Sequence, residues 1–174
     1  MSSAASPLWR GIQRDIGKAT GAEYKVEHRS AVSGGCINAA WTIEGGGRRY
    51  FVKVSDATRA TLFEAEAAGL AELRRADAVR VPRPICHSAN AKASWIVLEH
   101  IELHSRTPHS DAVLGGQLAR LHRQTAAAFG WERDNTIGST PQPNARSSDW
   151  PSFFIGGYLR QAERMIEGLL AEIR

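Results

Sequence analysis

A lysine set among apolar residues in an extended segment constrains this chain more than any other feature. Between Arg49 and Val54, Tyr50, Val52 and Val54 fall on one face of a predicted strand, and Phe51 and Lys53 fall on the other. A cation flanked by apolar residues on a central strand is costly to bury unless it meets an anion. The alternative is a lysine at a strand edge that runs its ammonium out to water. The next segment offers carboxylates. From about Thr58 to Arg75 no proline intervenes, and Leu62, Gly69, Leu70 and Leu73 make one stripe, which predicts an amphipathic helix. At about 100° per residue, Glu66 lies within that stripe and Glu64 projects from the opposite side. Glu66 is therefore the expected partner of Lys53, with a half-exposed place at the stripe edge as the alternative.

The surrounding pattern supplies a sheet. Ser6-Pro7 opens a predicted helix with Leu8, Ile12 and Ile16 at helical spacing, ending at Gly21. Residues 24–30 and 37–44 roughly alternate in polarity around Ser33-Gly34-Gly35, which predicts a hairpin. Two glycines there let backbone amides approach phosphate oxygens, although a plain hairpin turn uses the same residues. Gly45-Gly46-Gly47 turns the chain into the lysine strand. Val81-Pro82-Arg83-Pro84 interrupts regular structure, and strands at 85–88 and 94–99 complete five strands and two helices before residue 101. Leu114, Leu118 and Leu121 mark another helix, capped by Ser110 or Asp111. A long loop over 130–149 follows, a length that favours a ligand surface. From Pro151 to Arg174, Phe154, Tyr158, Ala162, Met165, Ile166, Leu169 and Ile173 recur at helical spacing and leave an apolar stripe that calls for a cover.

Composition excludes several classes. With 43% apolar and 23% charged residues the chain has the make-up of a folded globular protein. No stretch approaches the roughly 20 apolar residues that span a bilayer, and the first residues lack a secretory pattern, so the expectation is a cytoplasmic protein with no membrane partner. Cys36 and Cys86 lack metal-ligand spacing, so reduced thiols and no metal site are expected. The net charge of +4 is small and no run of Lys or Arg exceeds two residues, which argues against nucleic acid and suits a nucleotide equally well. Cys36 directly follows the turn glycines, where amides that attract phosphate also favour a thiolate; it is a redox candidate, with a small residue tolerated in a turn as the alternative.

Ser33-Gly34-Gly35-Cys36-Ile37-Asn38, Phe51-Val52-Lys53-Val54, Phe63-Glu64-Ala65-Glu66, Val81-Pro82-Arg83-Pro84 and Leu98-Glu99-His100 resemble, in order and spacing, the fructosamine (ketosamine) kinases. Leu121-His122, Phe129-Gly130, the stretch from Asp134 to Asn144, Asp149-Trp150 and Phe153-Phe154 resemble the segment that distinguishes that family from aminoglycoside and choline kinases. The resemblance implies an α+β, protein-kinase-like fold: residues 1–101 as a nucleotide-binding N-terminal lobe with a five-stranded antiparallel sheet and a helix, and 102–174 as the first helices of a helical C-terminal lobe. It implies ATP and Mg2+ as cofactors. Gly34, Gly35, Cys36, Ile37 and Asn38 would cover the triphosphate, Lys53 would hold the α and β phosphates, Glu66 would orient Lys53, and the backbone of Glu99, His100 and Ile101 would be the hinge that reads adenine. Asp134, Asn135, Gln142, Asn144 and Trp150 are the substrate-facing candidates.

The activity so implied is phosphorylation of the 3-hydroxyl of ketosamines on small-molecule or protein amines, whose unstable product releases the amine and so deglycates it. The family's His-Gly-Asp loop with its following Asn, and its later metal-binding Asp, have no counterpart in residues 1–174. No catalytic base or metal ligand is therefore expected in this chain, which alone is expected to be inactive. Two other readings stand beside this one: a small-molecule kinase acting on an aminoglycoside, choline or homoserine, against which residues 134–144 argue, and a nucleotide-binding fragment without catalysis. The expected partners are ATP, a glycated amine or protein, and a second copy of the chain met through the C-terminal helix.

Overall fold

The computed structural model describes residues 6–33, 38–138 and 140–172. The chain divides into two compact units, Met1–Arg123 and Gln124–Arg174. Helix α3 (Pro108–Leu121) lies in the first unit, where Arg120 Nη2 donates to the carbonyl of Ala78 at 3.3 Å.

The first unit is built on a five-stranded sheet of β1 (His28–Val32), β2 (Ala39–Gly45), β3 (Arg48–Asp56), β4 (Pro84–Ala89) and β5 (Ala93–Glu99), in the order β1-β2-β3-β5-β4. Every neighbouring pair is antiparallel. Between β2 and β3 the chain reverses over Gly46 and Gly47, at φ +55° and +70°, the two-residue turn that matches strand twist and needs left-handed backbone at both positions. Helix α1 (Pro7–Thr20) covers one face of the sheet: Trp9, Ile12 and Ile16 pack with Ile43, Tyr50, Val52, Trp95 and Val97. Gly11 keeps that interface close, since a Cβ there would stand 2.9 Å from the Trp95 ring. Helix α2 (Ala60–Arg75) covers the opposite face, where Phe63, Ala67 and Leu70 meet Phe51, Ile96 and Leu98. Alternation along β3 and β5 thus splits into two cores with Lys53 on the α2 side.

Four details depart from the sequence expectations. Residues 24–27 are not strand: Gln13 of α1 accepts a hydrogen bond from the Val26 amide at 2.7 Å, and Tyr24 is buried edge-on to Tyr50. Trp9 rather than Leu8 leads the core face of α1; Leu8 packs at its margin. On α2 the sheet contact runs through Phe63, Ala67 and Leu70, while Leu73 is 37% exposed, because residues 71–75 leave the sheet. Helix α3 is capped by Thr107, whose hydroxyl accepts from the Ser110 amide at 3.1 Å while Ser110 Oγ accepts from the Thr107 amide at 2.9 Å. Asp111 instead pairs with the Arg106 guanidinium.

The second unit replaces the expected 130–149 loop with an ordered excursion. A hairpin of β6 (Asn135–Ile137) and β7 (Thr140–Gln142) is followed by a bridge between Phe129 and Ser147. The terminal helix begins one residue earlier than expected, as α4 (Trp150–Phe154), with Asp149 accepting from the Ser152 amide at 2.8 Å. A π turn over Ile155–Leu159 then leads into α5 (Arg160–Glu172). Phe154, Met165 and Ile166 of the predicted stripe are exposed, and Gly157 and Gln161 are buried instead. Ile173 lies outside the described residues. Among the described residues, no helix is long and apolar enough to cross a membrane.

Candidate functional site

On the α2 side of the sheet a cavity of about 600 Å3 opens, with Lys53 and Glu66 in its wall. Strand β3 sets Lys53 between Ala40 on β2 and Ile96 on β5, so its flanks are short or apolar and the ammonium can only run outward into the cavity. Helix α2 brings Glu66 to it: the separation of Lys53 Nζ and Glu66 Oε1 is 2.7 Å. Glu64 is exposed on the far side of the helix, as helical geometry requires. The side chains of Lys53 and Glu66 are 31% and 27% exposed, so the pair is half-solvated and adds modestly to stability. An ammonium carries three donors, and among the described residues only Glu66 takes one, which leaves donors for an anion in the cavity.

The other walls are apolar. Val32, Phe51, Leu70, Leu98 and Leu103 line the cavity beside Thr42, and Glu99, His100 and Ile101 carry its edge as the chain leaves β5. Sequence reasoning followed the charged groups and missed this apolar wall. The signal was present, because Phe51 shares a face with Lys53 and Thr42 lies opposite Phe51 in the ladder. Glu99 also uses its side chain: Oε1 accepts from Arg80 Nη2 at 2.6 Å and Oε2 from the Arg83 amide at 3.1 Å.

Of the remaining expected nucleotide contacts, Asn38 immediately precedes β2, while Gly34, Gly35, Cys36 and Ile37, including the redox candidate, lie outside the described residues. Cys86 is a free thiol on β4, and burial pushes it up to about 12. Among the described residues no group of three or more His, Cys, Asp or Glu is placed to hold a metal ion.

The substrate-facing candidates divide. Asp134, Asn135 and Asn144 meet in one hydrogen-bonded cluster: the Asn144 amide donates to Asp134 Oδ1 at 2.8 Å, and Asn144 Nδ2 donates to Asn135 Oδ1 at 2.9 Å and to the Arg133 carbonyl at 3.1 Å. Asn144 is 7% exposed and staples the excursion closed. Gln142, opposite Asn135 in the hairpin, is also buried. Trp150 belongs to an aromatic group instead, with Phe129, Phe153 and Phe154 at ring distances of 5.3, 5.8 and 5.5 Å. Gln161 had no sequence signal: it is 2% exposed, and neither amide atom has a partner among the described residues.

A five-stranded antiparallel sheet, a strand lysine paired to a helix glutamate, and an apolar cavity edged by the chain leaving the sheet make up a protein-kinase-like α+β fold. A sequence model of the family described as fructosamine kinase matches residues 8–167. The chain belongs to the fructosamine kinase family. It is 42% identical over 147 residues to a protein of Synechocystis sp. named "Probable ketoamine kinase", covering 84% of this chain and 50% of the relative. It is 38% identical over 143 residues to the chloroplastic protein-ribulosamine 3-kinase of Arabidopsis thaliana, covering 79% and 42% of the two chains. A crystal structure from Haemophilus somnus, described as a candidate fructosamine-3-kinase, superposes with a TM-score of 0.79 at 26% identity, covering 84% of this chain and 50% of that one. The chain thus spans about half the length of the curated relatives it matches.

Proposed function

We propose that the protein takes part in ATP-dependent phosphorylation of the 3-hydroxyl of ketosamines on small-molecule or protein amines, a cytoplasmic deglycation step, and that this chain supplies the nucleotide-binding part. The observation that carries the reading is the 2.7 Å pair of Lys53 and Glu66 in the wall of an apolar cavity, in a chain of the fructosamine kinase family. Adenine stacks in the apolar wall near Phe51 and Leu98 and meets backbone groups of Glu99 to Ile101. Glu66 holds the Lys53 ammonium toward the cavity, and the ammonium takes the α and β phosphates through charge-assisted hydrogen bonds. By the family resemblance, Gly34, Gly35, Cys36, Ile37 and Asn38 are the candidates for contact with the triphosphate. Mg2+, when bound with ATP, neutralises phosphate charge. No base and no metal ligand is assigned within residues 1–174; the work of these residues is to bind and orient the nucleotide. The excursion that carries Asp134, Asn135, Gln142 and Asn144, with Trp150 at the start of α4, serves the ketosamine side.

The test incubates ATP, Mg2+ and a fructosyl-amine with this chain and, in parallel, with a protein of the relatives' full length, and follows transfer by phosphorus NMR. Nucleotide binding by the chain, and a 3-phosphorylated ketosamine from the longer protein alone, is the expected result. A longer protein that phosphorylates an aminoglycoside, choline or homoserine in preference to the fructosyl-amine overturns the substrate assignment.

A further inference from the structure

Between α2 and β4 the chain crosses residues 80–83 without regular structure, and Pro82 from this segment lines the nucleotide cavity. Its position is set at both ends by one carboxylate. Glu99 Oε1 takes the Arg80 guanidinium at 2.6 Å and Oε2 takes the Arg83 amide at 3.1 Å, so the two oxygens bracket Pro82 from before and after. The Glu99 amide returns a bond to the Arg83 carbonyl at 2.8 Å, and Arg74 Nη1, on the helix that carries Glu66, donates to the Val81 carbonyl at 3.3 Å.

We infer that Glu99 is a positioning residue whose carboxylate, through Arg80 and the Arg83 amide, holds the Arg80–Arg83 segment against the end of β5 and so fixes the adenine end of the cavity. This rests on the nucleotide reading above and extends it: the backbone of Glu99 meets adenine, while its side chain sets the opposite wall at Pro82. A decorative surface pair would use one oxygen on one side chain. Here the second oxygen binds main chain, which a freely moving arginine cannot replace. The side chain of Glu99 is 30% exposed and that of Arg80 64% exposed, so the main-chain bond carries more of the effect than the ion pair.

The experiment measures dissociation constants of this chain for ATP and for inorganic triphosphate, which lacks adenosine, by calorimetry at one salt concentration, with melting curves alongside. Glu99→Ala is expected to weaken ATP about fivefold and Arg80→Ala about twofold, with triphosphate unchanged in both and Arg80→Lys close to the unsubstituted chain. Arg80→Ala removes an exposed side chain and keeps the test alive if Glu99→Ala does not fold. Unchanged ATP affinity in the variants, or triphosphate weakened in step with ATP, overturns the positioning role. An unsubstituted chain that binds ATP no better than triphosphate overturns the adenine reading itself and this inference with it.

Discussion

Replacing Lys53 with methionine tests the site most directly, because the proposed function gives this side chain a large role in binding and its half-solvated pair a small one in folding. Methionine keeps most of the stem and removes the ammonium. The lost pair joins side chains that are 31% and 27% exposed, and half-solvated pairs are worth about 0.2–1 kcal/mol, so the melting temperature should fall by only a few degrees. Binding should respond more strongly. A charge-assisted contact to phosphate is worth about 1.5–3 kcal/mol, which converts to roughly a tenfold to hundredfold loss of ATP affinity. Glu66→Gln should lower affinity less, since it leaves the ammonium in place but unsteered, and the double variant should be no weaker than Lys53→Met. Calorimetric titration with ATP, paired with a thermal melt of each variant, reads both quantities. The reasoning fails if Lys53→Met binds ATP like the unsubstituted chain, or if the chain unfolds outright and shows that the pair is chiefly structural.

Asn144→Ala should destabilise the second unit by about 1–3 kcal/mol, because it strips two side-chain hydrogen bonds from a buried site; limited proteolysis should then cut within 130–149, and an unchanged cleavage pattern would count against the staple. Cys86 should resist iodoacetamide at pH 8 in the folded chain and label after denaturation, since burial keeps its thiol protonated. The linkage has a definite sign: with the folded value raised to about 12, its contribution is present below the ordinary thiol range and is lost as pH rises through 12, so alkaline melts of Cys86→Ser should lack that part of the decline. Ile155, Leu159, Met165 and Ile166 are 43–57% exposed, and the chain should self-associate through them; light scattering should register a return to monomer for Ile155→Asp with Ile166→Asp, and a strictly monomeric unsubstituted chain would refute this.

The pairing of Lys53 with Glu66 was legible because two fixed periods, alternation on a strand and about 100° per residue on a helix, decide which side chains can face each other. The same rules misread residues 24–27, which alternate correctly but whose Val26 amide is claimed by Gln13, a partner thirteen residues upstream that no local pattern shows. The phase of α2 is not legible locally because Leu73 looks as apolar as Phe63, and only the extent of the sheet decides which of them is covered. Thr107 is hard to read as a cap because the apolar pattern starts several residues later, although Pro108 at the first turn marks the place. In residues 130–149 order comes from Asn144 reaching back across about ten positions, and such bonds leave no periodic trace. The wall at Pro82 and the second use of Glu99 follow from the approach of two connections distant in sequence.

The sheet's two faces also bear on how this chain can change. Ile43 and Val52 look toward α1 and hold the frame, while their chain neighbours Thr42 and Phe51 look into the cavity. Residues adjacent in sequence therefore meet different physical demands, one to keep the scaffold packed and the other to shape the cavity wall. Drift at Thr42 can reshape the ligand wall without disturbing the packing under Trp9 and Ile12, so a lineage can try new ligands on a frame that stays folded throughout.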